Sequence, residues 1–428
     1  MKIAYVIPQY LPSTSGDVRI MHNVAKRVVE IGNAATVFTT DASSEDAIIS
    51  NKGIIFKKDE IIDGVEIRRY PVEMRFLSMF KFLADKNRFI RNTTDVNQYI
   101  QHFKNKSSYS GFDTKSLLNI IRPPISTKLF RSLLEAKDYD VYHTNGTLFS
   151  NVLYIYKASI KNNIPLVIRP AFHATDKLYY NPMNVKILKH ADAIIANTDA
   201  EVEIFSKFGI DPQKITVVGC GVDLEKYSNL NTEEVEKIKS NFSFDEYKAN
   251  VLFLSRLQRE KGVFDVIESI IKMNAKNNKI QLLIVGSDYK GNSELIKQIS
   301  AKHNFIKYLG RISEEEKIHL LHACDALVVP SIADSFGIVY IEAWACKKPI
   351  IGADIPSTRS LIFHGEDGFF VRYGDKENLI KKIKYLADNP DERITMGKRG
   401  YEKVMNRYTE VKVFERIYRM YHELTEED

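Results

Sequence analysis

The sequence predicts an α/β protein with two Rossmann-like domains, and three observations lead to this prediction. The chain has 428 residues, enough for two domains of about 100–200 residues each. Short β-branched runs alternate with segments of helical periodicity, which is typical of βαβ units that build a parallel sheet. This alternation begins at Lys2 and begins again at Val251. We therefore expect one sheet in each half of the chain.

The apolar runs predict the individual strands. In the first half they are Lys2 to Ile7, Ala35 to Thr39, Glu66 to Pro71, Val141 to His143, Leu166 to Ile168, Ala193 to Ala196 and Ile215 to Val218. In the second half they are Val251 to Leu254, Gln281 to Val285, Ile306 to Tyr308, Ala326 to Val329, Pro349 to Gly352 and Phe369 to Val371. Between the first two strands, residues 19–31 place apolar side chains on one helical face.

These patterns predict the domain organisation. Residues 1–222 form the first domain, and residues 251–410 form the second. The polar, charge-rich segment 223–250 between them is expected to be the connection and a hinge. A last helical segment, within 411–428, follows the second sheet and is expected to pack back on the first domain.

The composition excludes several classes of protein. Hydrophobic residues make up 44% and charged residues 27% of the chain, as in an ordinary globular protein. No apolar run is long enough to span a bilayer, and the first residues form a strand rather than a signal peptide. Three cysteines without a C-x-x-C pair indicate reduced thiols. A net charge of +6 is too small to indicate nucleic-acid binding. We expect a cytoplasmic protein.

One region interrupts the alternation. Residues 73–135 are basic and aromatic, with three apolar side chains on one helical face and four basic side chains around them: Phe76, Phe80 and Leu83, then Lys81, Lys86, Arg88 and Arg91. A basic amphipathic helix can lie on an anionic membrane surface. An apolar stripe can equally face a protein core, and periodicity does not distinguish the two. Peripheral membrane contact and core packing both remain open.

The segment from Val329 to Trp344, VPSIADSFGIVYIEAW, is the densest signal for chemistry. A strand ends, a small loop containing Asp334 follows, and a helix begins near Gly337. Helix N-termini present backbone N–H groups and the positive end of the helix dipole, so this corner suits a pyrophosphate. Glu342, about one turn into the helix, can accept hydrogen bonds from ribose hydroxyls, and Asp334 can reach a sugar. Taken alone, the two carboxylates could also be a helix cap and a solvated surface residue.

A second loop supplies the cations. Ser255 to Gly262 follows the first strand of the second sheet and opens a helix. Arg256 can bind a phosphate through its forked guanidinium, and Lys261 can do so as a point charge. Ligands of open α/β sheets bind beyond the carboxyl ends of the strands, where this loop lies.

These motifs resemble glycosyltransferase family 4, the retaining enzymes with the GT-B fold, in which two Rossmann-like domains flank a deep cleft. The family's signature is E-x7-E after Pro-Ser. Here Pro330-Ser331 precedes Asp334-Ser335-Phe336-Gly337-Ile338 and Glu342, so an Asp replaces the first Glu. The resemblance covers nearly the whole chain up to about residue 410. It implies that Arg256 and Lys261 bind the donor pyrophosphate and that Asp334 contacts the donor sugar.

Further positions match the family in order and spacing. The resemblance implies donor binding by Gly286 and by Arg311, which lies where the family binds the base. The loop Gly219 to Asp223 resembles the family's N-G-V-D, with Cys220 in place of Asn. Ser15-Gly16 retains only the second glycine of the family's Gly-Gly loop. The family often carries a His near the reacting sugar. His173 lies two places beyond the expected position and His143 is the other candidate, while a structural role is as plausible for each.

The resemblance implies transfer of a sugar from a nucleotide-diphosphate donor to a glycan, lipid-linked or small-molecule acceptor. The departing phosphate takes the acceptor proton on the same face, and no cofactor or metal takes part. The D-x-D string Asp138-Tyr139-Asp140 precedes a strand, which disfavours a metal site there. Two other classes remain open: a GT-B epimerase or phosphorylase, and a nucleotide-sugar binding subunit without turnover.

Overall fold

The protein folds into two compact units, each built on a parallel β-sheet. The computed structural model describes residues 1–13, 15–44, 47–48, 53–73, 88–91, 93–106 and 123–426. The first unit contains residues 1–88, 97–220 and 413–428, and the second contains residues 89–96 and 221–412. The chain therefore passes between the units four times.

The first unit contains an eight-stranded sheet in the order β3-β4-β2-β1-β5-β6-β7-β8. All pairs are parallel except β3 with β4 at one edge. The strands are β1 (Lys2–Val6), β2 (Ala34–Thr40), β3 (Asp59–Ile62), β4 (Val65–Tyr70), β5 (Val141–Asn145), β6 (Leu166–Arg169), β7 (Ala193–Ala196) and β8 (Ile215–Val217). The apolar runs predicted the seven parallel strands. They did not predict β3, which is short, acidic at its start and paired on one side only.

The second unit contains a six-stranded parallel sheet in the order β11-β10-β9-β12-β13-β14. Its strands are β9 (Ala249–Leu254), β10 (Ile280–Val285), β11 (Ile306–Gly310), β12 (Ala326–Val329), β13 (Ile350–Ala353) and β14 (Gly368–Val371). The order is that of a doubly wound fold, in which the first strand of the unit, β9, lies next to the fourth, β12. The strand residues are buried except in the edge strand β11 and at Phe370 of β14, because helices cover both faces of such a sheet.

Helices connect the strands. In the first half they are α1 (Gly16–Glu30), α2 (Thr93–Lys106), α3 (Thr127–Glu135), α4 (Ser150–Asn162), α5 (Pro182–His190) and α6 (Asp199–Lys207). In the second half they are α7 (Leu224–Ser228), α8 (Thr232–Asn241), α9 (Val263–Asn274), α10 (Asn292–Lys302), α11 (Glu314–Ala323), α12 (Ile338–Ala345), α13 (Pro356–Leu361), α14 (Lys376–Asp388), α15 (Pro390–Lys403) and α16 (Glu410–Thr425). No helix in the described part of the chain is long and apolar enough to cross a membrane.

The segment 223–250, expected as a connection, is part of the second unit. It forms α7, α8 and the first two residues of β9. Tyr227 and Val235 are buried, and α8 packs against α11. The segment is polar because most of its other side chains are exposed, not because it is a linker.

The last helix, α16, contributes its apolar face to the core of the first unit. Ile417 and Tyr421 are fully buried in the same cluster as Ile3 and Tyr5 of β1. Asn33, at the start of β2, also donates a hydrogen bond to the Tyr418 hydroxyl at 3.1 Å. The chain thus returns to the first unit after completing the second sheet.

About half of the basic, aromatic region lies outside the described residues, including Phe76, Phe80, Leu83, Lys81 and Lys86. Two contacts are described near its centre. Arg88 donates to Asp176 in the first unit, with Nε at 2.8 Å from Oδ1. Phe89 packs against a cluster of Ile332, Ala353 and Ile355 in the second unit. Phe89, in the described part of this region, therefore packs against protein.

Truncation of the buried face of α16 should destabilise the first unit. We expect Ile417→Ala to cost about 2–5 kcal/mol, because it leaves a cavity in a fully buried cluster. Differential scanning calorimetry would show a lowered Tm. Val411→Ala, in the exposed first turn of the same helix, is the control and should melt like the wild type. Equal Tm values for all three proteins would contradict the packing of α16 on this core.

Candidate functional site

The carboxyl ends of β9 and β12 form a switch point in the second sheet. Chain connections leave these two neighbouring strands toward opposite faces, since β10 lies on one side of β9 and β13 lies on the far side of β12. Open α/β sheets bind ligands in the crevice at such a point. The two loops predicted to bind a phosphorylated ligand, 255–262 and 330–337, are the loops that follow these strands.

Loop 255–262 carries two exposed cations, Arg256 and Arg259, and one buried cation, Lys261. The Arg256 side chain is exposed, whereas Lys261 lies in a short 3-10 turn and is only 8% exposed. Gly262 ends the turn with a φ of +81°, and a Cβ there would lie 2.8 Å from the Pro330 carbonyl oxygen. Glycine is required at this position by both backbone conformation and space. It allows the first loop to lie directly against the second.

Loop 330–337 leads into helix α12. Gly337 is the N-cap residue with a φ of +95°, and a Cβ there would collide with the Tyr340 ring. The Tyr340 hydroxyl donates to the Val329 carbonyl at 2.7 Å, which fixes the first turn of α12 against β12. Phe336 is buried against Tyr408, with ring centroids 5.4 Å apart. Ser335 and Ile338 are half-buried beside them. The N-terminus of α12 is therefore held at the carboxyl edge of the sheet.

Lys261 bonds directly to the second loop. Its Nζ lies 2.7 Å from the Ala333 carbonyl oxygen and 2.8 Å from Asp334 Oδ1. Ser357 in turn donates to the Asp334 carbonyl at 2.9 Å. The structure thus brings together Lys261 and Asp334, which are 73 positions apart in the chain. The sequence predicted both residues for the same site.

Glu342 points into the protein and forms a buried ion pair. Its Oε1 accepts a hydrogen bond from Lys317 Nζ at 2.8 Å. Glu342 as a whole is only 2% exposed. Lys317 lies in α11, which follows the loop containing Arg311. Lys317 was not among the residues predicted for the site, because a lysine among the charged residues of 314–317 is typical of a solvated helix face.

The loops after β10 and β11 lie on the same edge of the sheet. Gly286 follows β10, and a Cβ on it would lie 1.8 Å from the Ser255 carbonyl oxygen. Its role is therefore close backbone packing beside the Arg256 loop. Arg311 follows β11 and is exposed, two strands away from β9. The donor-binding roles of these two residues remain predictions.

In the first unit, Gly16 and His173 also lie at carboxyl ends of strands. Gly16 is the first residue of α1, in the connection after β1. His173 follows β6 and stacks on Tyr179, with ring centroids 5.1 Å apart. Ala171, in the family's usual His position, has a φ of +47°. Catalytic or binding roles for Gly16 and His173 remain predictions.

His143, the other candidate, has a structural environment. It lies within β5, is 1% exposed and bonds to the Tyr421 hydroxyl of α16 through Nδ1. Burial lowers the pKa of His143 to about 3, and Arg169 adds to this effect. The imidazole is therefore neutral at physiological pH and serves the packing of α16.

A buried polar cluster holds the His173 loop in position. The sequence did not predict this cluster. Arg169, at the end of β6, donates to Asn197 Oδ1 at 2.8 Å and to the Gly219 carbonyl. Glu201 accepts from the backbone N–H of Phe172 at 2.9 Å and from that of Asn197 at 2.7 Å. Glu201 thereby connects the loop after β6 to the end of β7.

The D-x-D string lies at the opposite edge of the first sheet. Asp140 Oδ2 accepts the backbone N–H of Lys2 at 2.7 Å, and the Asp140 N–H donates to the Lys2 carbonyl. The string therefore secures the starts of β1 and β5. Asp138 and Asp140 lie at the amino ends of these strands, whereas the candidate ligand loops follow carboxyl ends.

Comparison with protein families matches most of the chain. A family model described as "Glycosyl transferases group 1" matches residues 234–403, and one described as "Glycosyltransferase Family 4" matches residues 98–226. Together the two models match more than half of the chain.

Individual relatives cover less. A D-inositol 3-phosphate glycosyltransferase of Pseudarthrobacter chlorophenolicus is 27% identical over 227 residues, which are 52% of this chain and 53% of the relative. A trehalose synthase of Pyrococcus horikoshii is 29% identical over 48% of this chain and 52% of the relative. The chain spans about half the length of the curated relatives it matches.

Solved structures match over the full length. Anabaena HepE in complex with UDP and glucose has a TM-score of 0.70 at 17% identity, covering 98% of this chain and 99% of that one. Sucrose-phosphate synthase from Thermosynechococcus elongatus has a TM-score of 0.72 at 17% identity, covering 99% and 98%. At this identity the likeness shows the fold alone, and the fold prediction is confirmed.

The environment of Glu201 predicts a pH-dependent stability. Burial raises the pKa of Glu201 from its ordinary 4.5 to about 8, although its two N–H partners favour the charged form. Between these pH values the folded protein retains a proton that the unfolded chain has lost, so this group makes stability fall as pH rises from about 4.5 to about 8. Glu201→Gln should be less stable than the wild type at pH 5, because an amide N–H replaces one acceptor, and this deficit should shrink by pH 8.

Urea denaturation at pH 5, 6, 7 and 8 measures this effect as the difference in free energy of unfolding between variant and wild type. Glu203→Gln, at an exposed position of the same helix, is the control and should leave a constant difference. A deficit of the Glu201→Gln variant that stays the same at every pH would contradict the assigned titration.

Proposed function

The chain belongs to glycosyltransferase family 4 and has the GT-B fold, and we propose from this that it transfers a sugar from a nucleoside-diphosphate donor with retention of anomeric configuration. UDP-sugars are the first donors to test, because Anabaena HepE is described in complexes with UDP and with UDP-glucose. The proposed acceptor is a glycan, a lipid-linked sugar or a small molecule.

The observation that carries this proposal is the bond of Lys261 across the switch point. An ammonium group has three N–H donors. Two are directed to Ala333 and Asp334, and the third can meet a phosphate oxygen. The same contact holds Asp334 in the loop that leads directly into the N-terminus of α12. A cation, a helix N-terminus and a carboxylate are thus arranged at one edge, as a diphosphate joined to a sugar requires.

Charge stabilisation of the leaving group is the main chemical task of such a site. Cleavage of the anomeric C–O bond passes through an oxocarbenium-like state, and negative charge develops on the departing diphosphate. We assign stabilisation of that charge to Lys261, to the exposed Arg256 and to the N–H groups that begin α12. Fixed donors are effective because they need no reorganisation during the reaction.

Asp334 and Glu342 receive different roles. Asp334 is partly exposed beside Lys261 and is proposed to contact the donor sugar. Glu342 is buried in α12 and is proposed to accept hydrogen bonds from the ribose. We propose no protein nucleophile: the departing phosphate takes the proton of the acceptor hydroxyl, and the new bond forms on the face that the diphosphate leaves.

We further propose that the reaction needs no metal ion. In the described part of the chain, the D-x-D carboxylates lie at the amino edge of the first sheet, where Asp140 bonds to backbone. Charge on the diphosphate is instead met by Arg256 and Lys261.

A donor panel tests the proposed function. Thermal-shift measurements with UDP, GDP and ADP and their glucose or mannose conjugates should show a raised Tm for one nucleotide, since a ligand that binds the folded state stabilises it. Acceptor extracts should then release the free nucleoside diphosphate, and NMR of the product should show the anomeric configuration of the donor. Excess EDTA should leave the rate unchanged.

The other outcomes identify the alternatives. Binding without nucleotide release under any condition would indicate a binding subunit. Conversion of the nucleotide sugar without an acceptor would indicate an epimerase, and dependence on inorganic phosphate would indicate a phosphorylase. An inverted product or loss of activity in EDTA would overturn the proposed mechanism.

Removal of either key charge in the second unit should slow transfer. We expect Lys261→Ala to lower kcat/KM about 100- to 1000-fold, as measured for loss of one donor that stabilises a developing charge. Glu342→Ala should lower kcat/KM about 10- to 100-fold, because the ribose hydroxyls lose a charged hydrogen-bond acceptor. Initial rates with saturating acceptor provide the measurement. Lys290→Ala removes an exposed lysine from the loop after β10 and is the control. Rates within a few-fold of the wild type in the first two variants would rule out this site.

A further inference from the structure

We propose that Lys317 is a positioning residue that directs the Glu342 carboxylate toward the ribose hydroxyls of the bound nucleotide. This inference rests on the proposed function, because it assumes that the second unit binds a nucleoside diphosphate. It concerns a residue that neither the sequence motifs nor the comparisons identify.

Lys317 joins two helices through its ammonium group. Its Nζ lies 2.8 Å from Glu342 Oε1 in α12 and 2.8 Å from Glu314 Oε2 in α11. The Lys317 side chain is 9% exposed and that of Glu342 is 3% exposed. The Tyr227 ring of α7 lies 5.7 Å from the same Nζ. The ammonium group is therefore enclosed by three elements of the second unit.

Both ends of this ion pair are held in place. The first turn of α11 has a capping box, in which Ser313 Oγ accepts the Glu316 N–H at 3.1 Å and the Glu316 carboxylate accepts the Ser313 N–H at 2.8 Å. The first turn of α12 is fixed by the Tyr340 bond to Val329. Both helices are therefore anchored at their first turns, and the ion pair joins two side chains that are carried on fixed backbone.

Stability alone does not account for a buried Lys–Glu pair. Desolvation of both charges offsets most of their attraction, so apolar residues of similar volume often stabilise a protein equally well. A buried pair in a candidate ligand site has a second use, which is to hold a carboxylate in one orientation. Lys317 occupies Glu342 Oε1 and thereby sets the direction of Oε2, the oxygen that can accept from the two adjacent ribose hydroxyls.

The position of Lys317 in the chain agrees with this role. Helix α11 begins four residues after Gly310, in the connection where Arg311 is expected to meet the base. Helix α12 begins beside the proposed diphosphate site. The ribose of a bound nucleotide lies between its base and its phosphates, and the Lys317–Glu342 pair links the two elements that flank this position.

A second buried pair in the same unit provides a matched control. Lys403 pairs with Asp367, with side chains 14% and 2% exposed, and its Nζ lies over the rings of Trp344 and Phe363. It connects α15 to the segment before β14, and no motif assigns it to a ligand. Loss of Lys403 should therefore affect stability without affecting ribose recognition.

The test compares two ligands that differ only in the ribose hydroxyls. Isothermal titration calorimetry with UDP and 2′,3′-dideoxy-UDP, or with the GDP or ADP pair if the donor panel selects that base, gives a ratio of Kd values for each protein. For the wild type we expect the hydroxyls to improve Kd about 10- to 100-fold, as for hydrogen bonds to a charged group. Lys317→Met should reduce this ratio to near one, whereas Lys403→Met should retain it.

A double variant guards against misfolding and tests the connection. Lys317→Met with Glu342→Gln removes both charges and leaves no unpaired buried ion. If Lys317 acts only through Glu342, the double variant should bind UDP as tightly as Glu342→Gln alone. Further weakening beyond the Glu342→Gln value would overturn the positioning role.

Two other results separate this inference from the proposed function. A wild type that binds none of the three nucleoside diphosphates would overturn the proposed function itself. A wild type that binds one of them, together with a Lys317→Met variant that retains the full hydroxyl preference, would overturn the positioning role and leave the nucleotide site intact.

Discussion

The proposed nucleotide site depends on the contact between Lys261 and the loop that carries Asp334. Lys261 is buried among backbone and carboxylate oxygens, and its ammonium group closes the gap between the loops that follow β9 and β12. Gly262 makes this approach possible, because any larger residue would meet Pro330. The position of the cation, the direction of Asp334 and the entry into α12 are therefore set together. A ligand bound there would meet groups already held in place.

The topology of the sheet explains why the site forms at this location. In a sheet of order 3-2-1-4-5-6 the connections diverge on the two sides of the central strand pair, and the loops there leave space that no helix fills. The second unit has this order, and its glycines at 262, 286 and 337 allow backbone approaches that side chains would block. The first unit has a related order with additional strands. The carboxyl edge of the first sheet carries Gly16 and the His173 loop. The buried cluster of Glu201 and Arg169 holds this loop in position.

Much of the fold followed from the sequence, because buried parallel strands are apolar throughout and each is bounded by polar turns. The strands of the second unit illustrate this, and so does the proximity of the loops that carry Lys261 and Asp334, which both follow such strands. The ion pair between these two side chains was not predicted. Strand β3 was missed because a short edge strand has no apolar run. Lys317 was missed because its role depends on two helices that pack against each other. Glu201 was missed because its partners are backbone N–H groups of neighbouring loops, which leave no side-chain pattern. The sequence could not show that residues 89–96 associate with the second unit, since a local sequence pattern does not specify which domain a segment packs against.

A crystal structure of the protein with bound UDP tests the central claim most directly. We expect the β-phosphate within hydrogen-bond distance of Lys261 Nζ and of the first N–H groups of α12, with the ribose hydroxyls at Glu342. A diphosphate bound elsewhere on the second unit, with Lys261 still enclosed by Ala333 and Asp334 alone, would contradict the account.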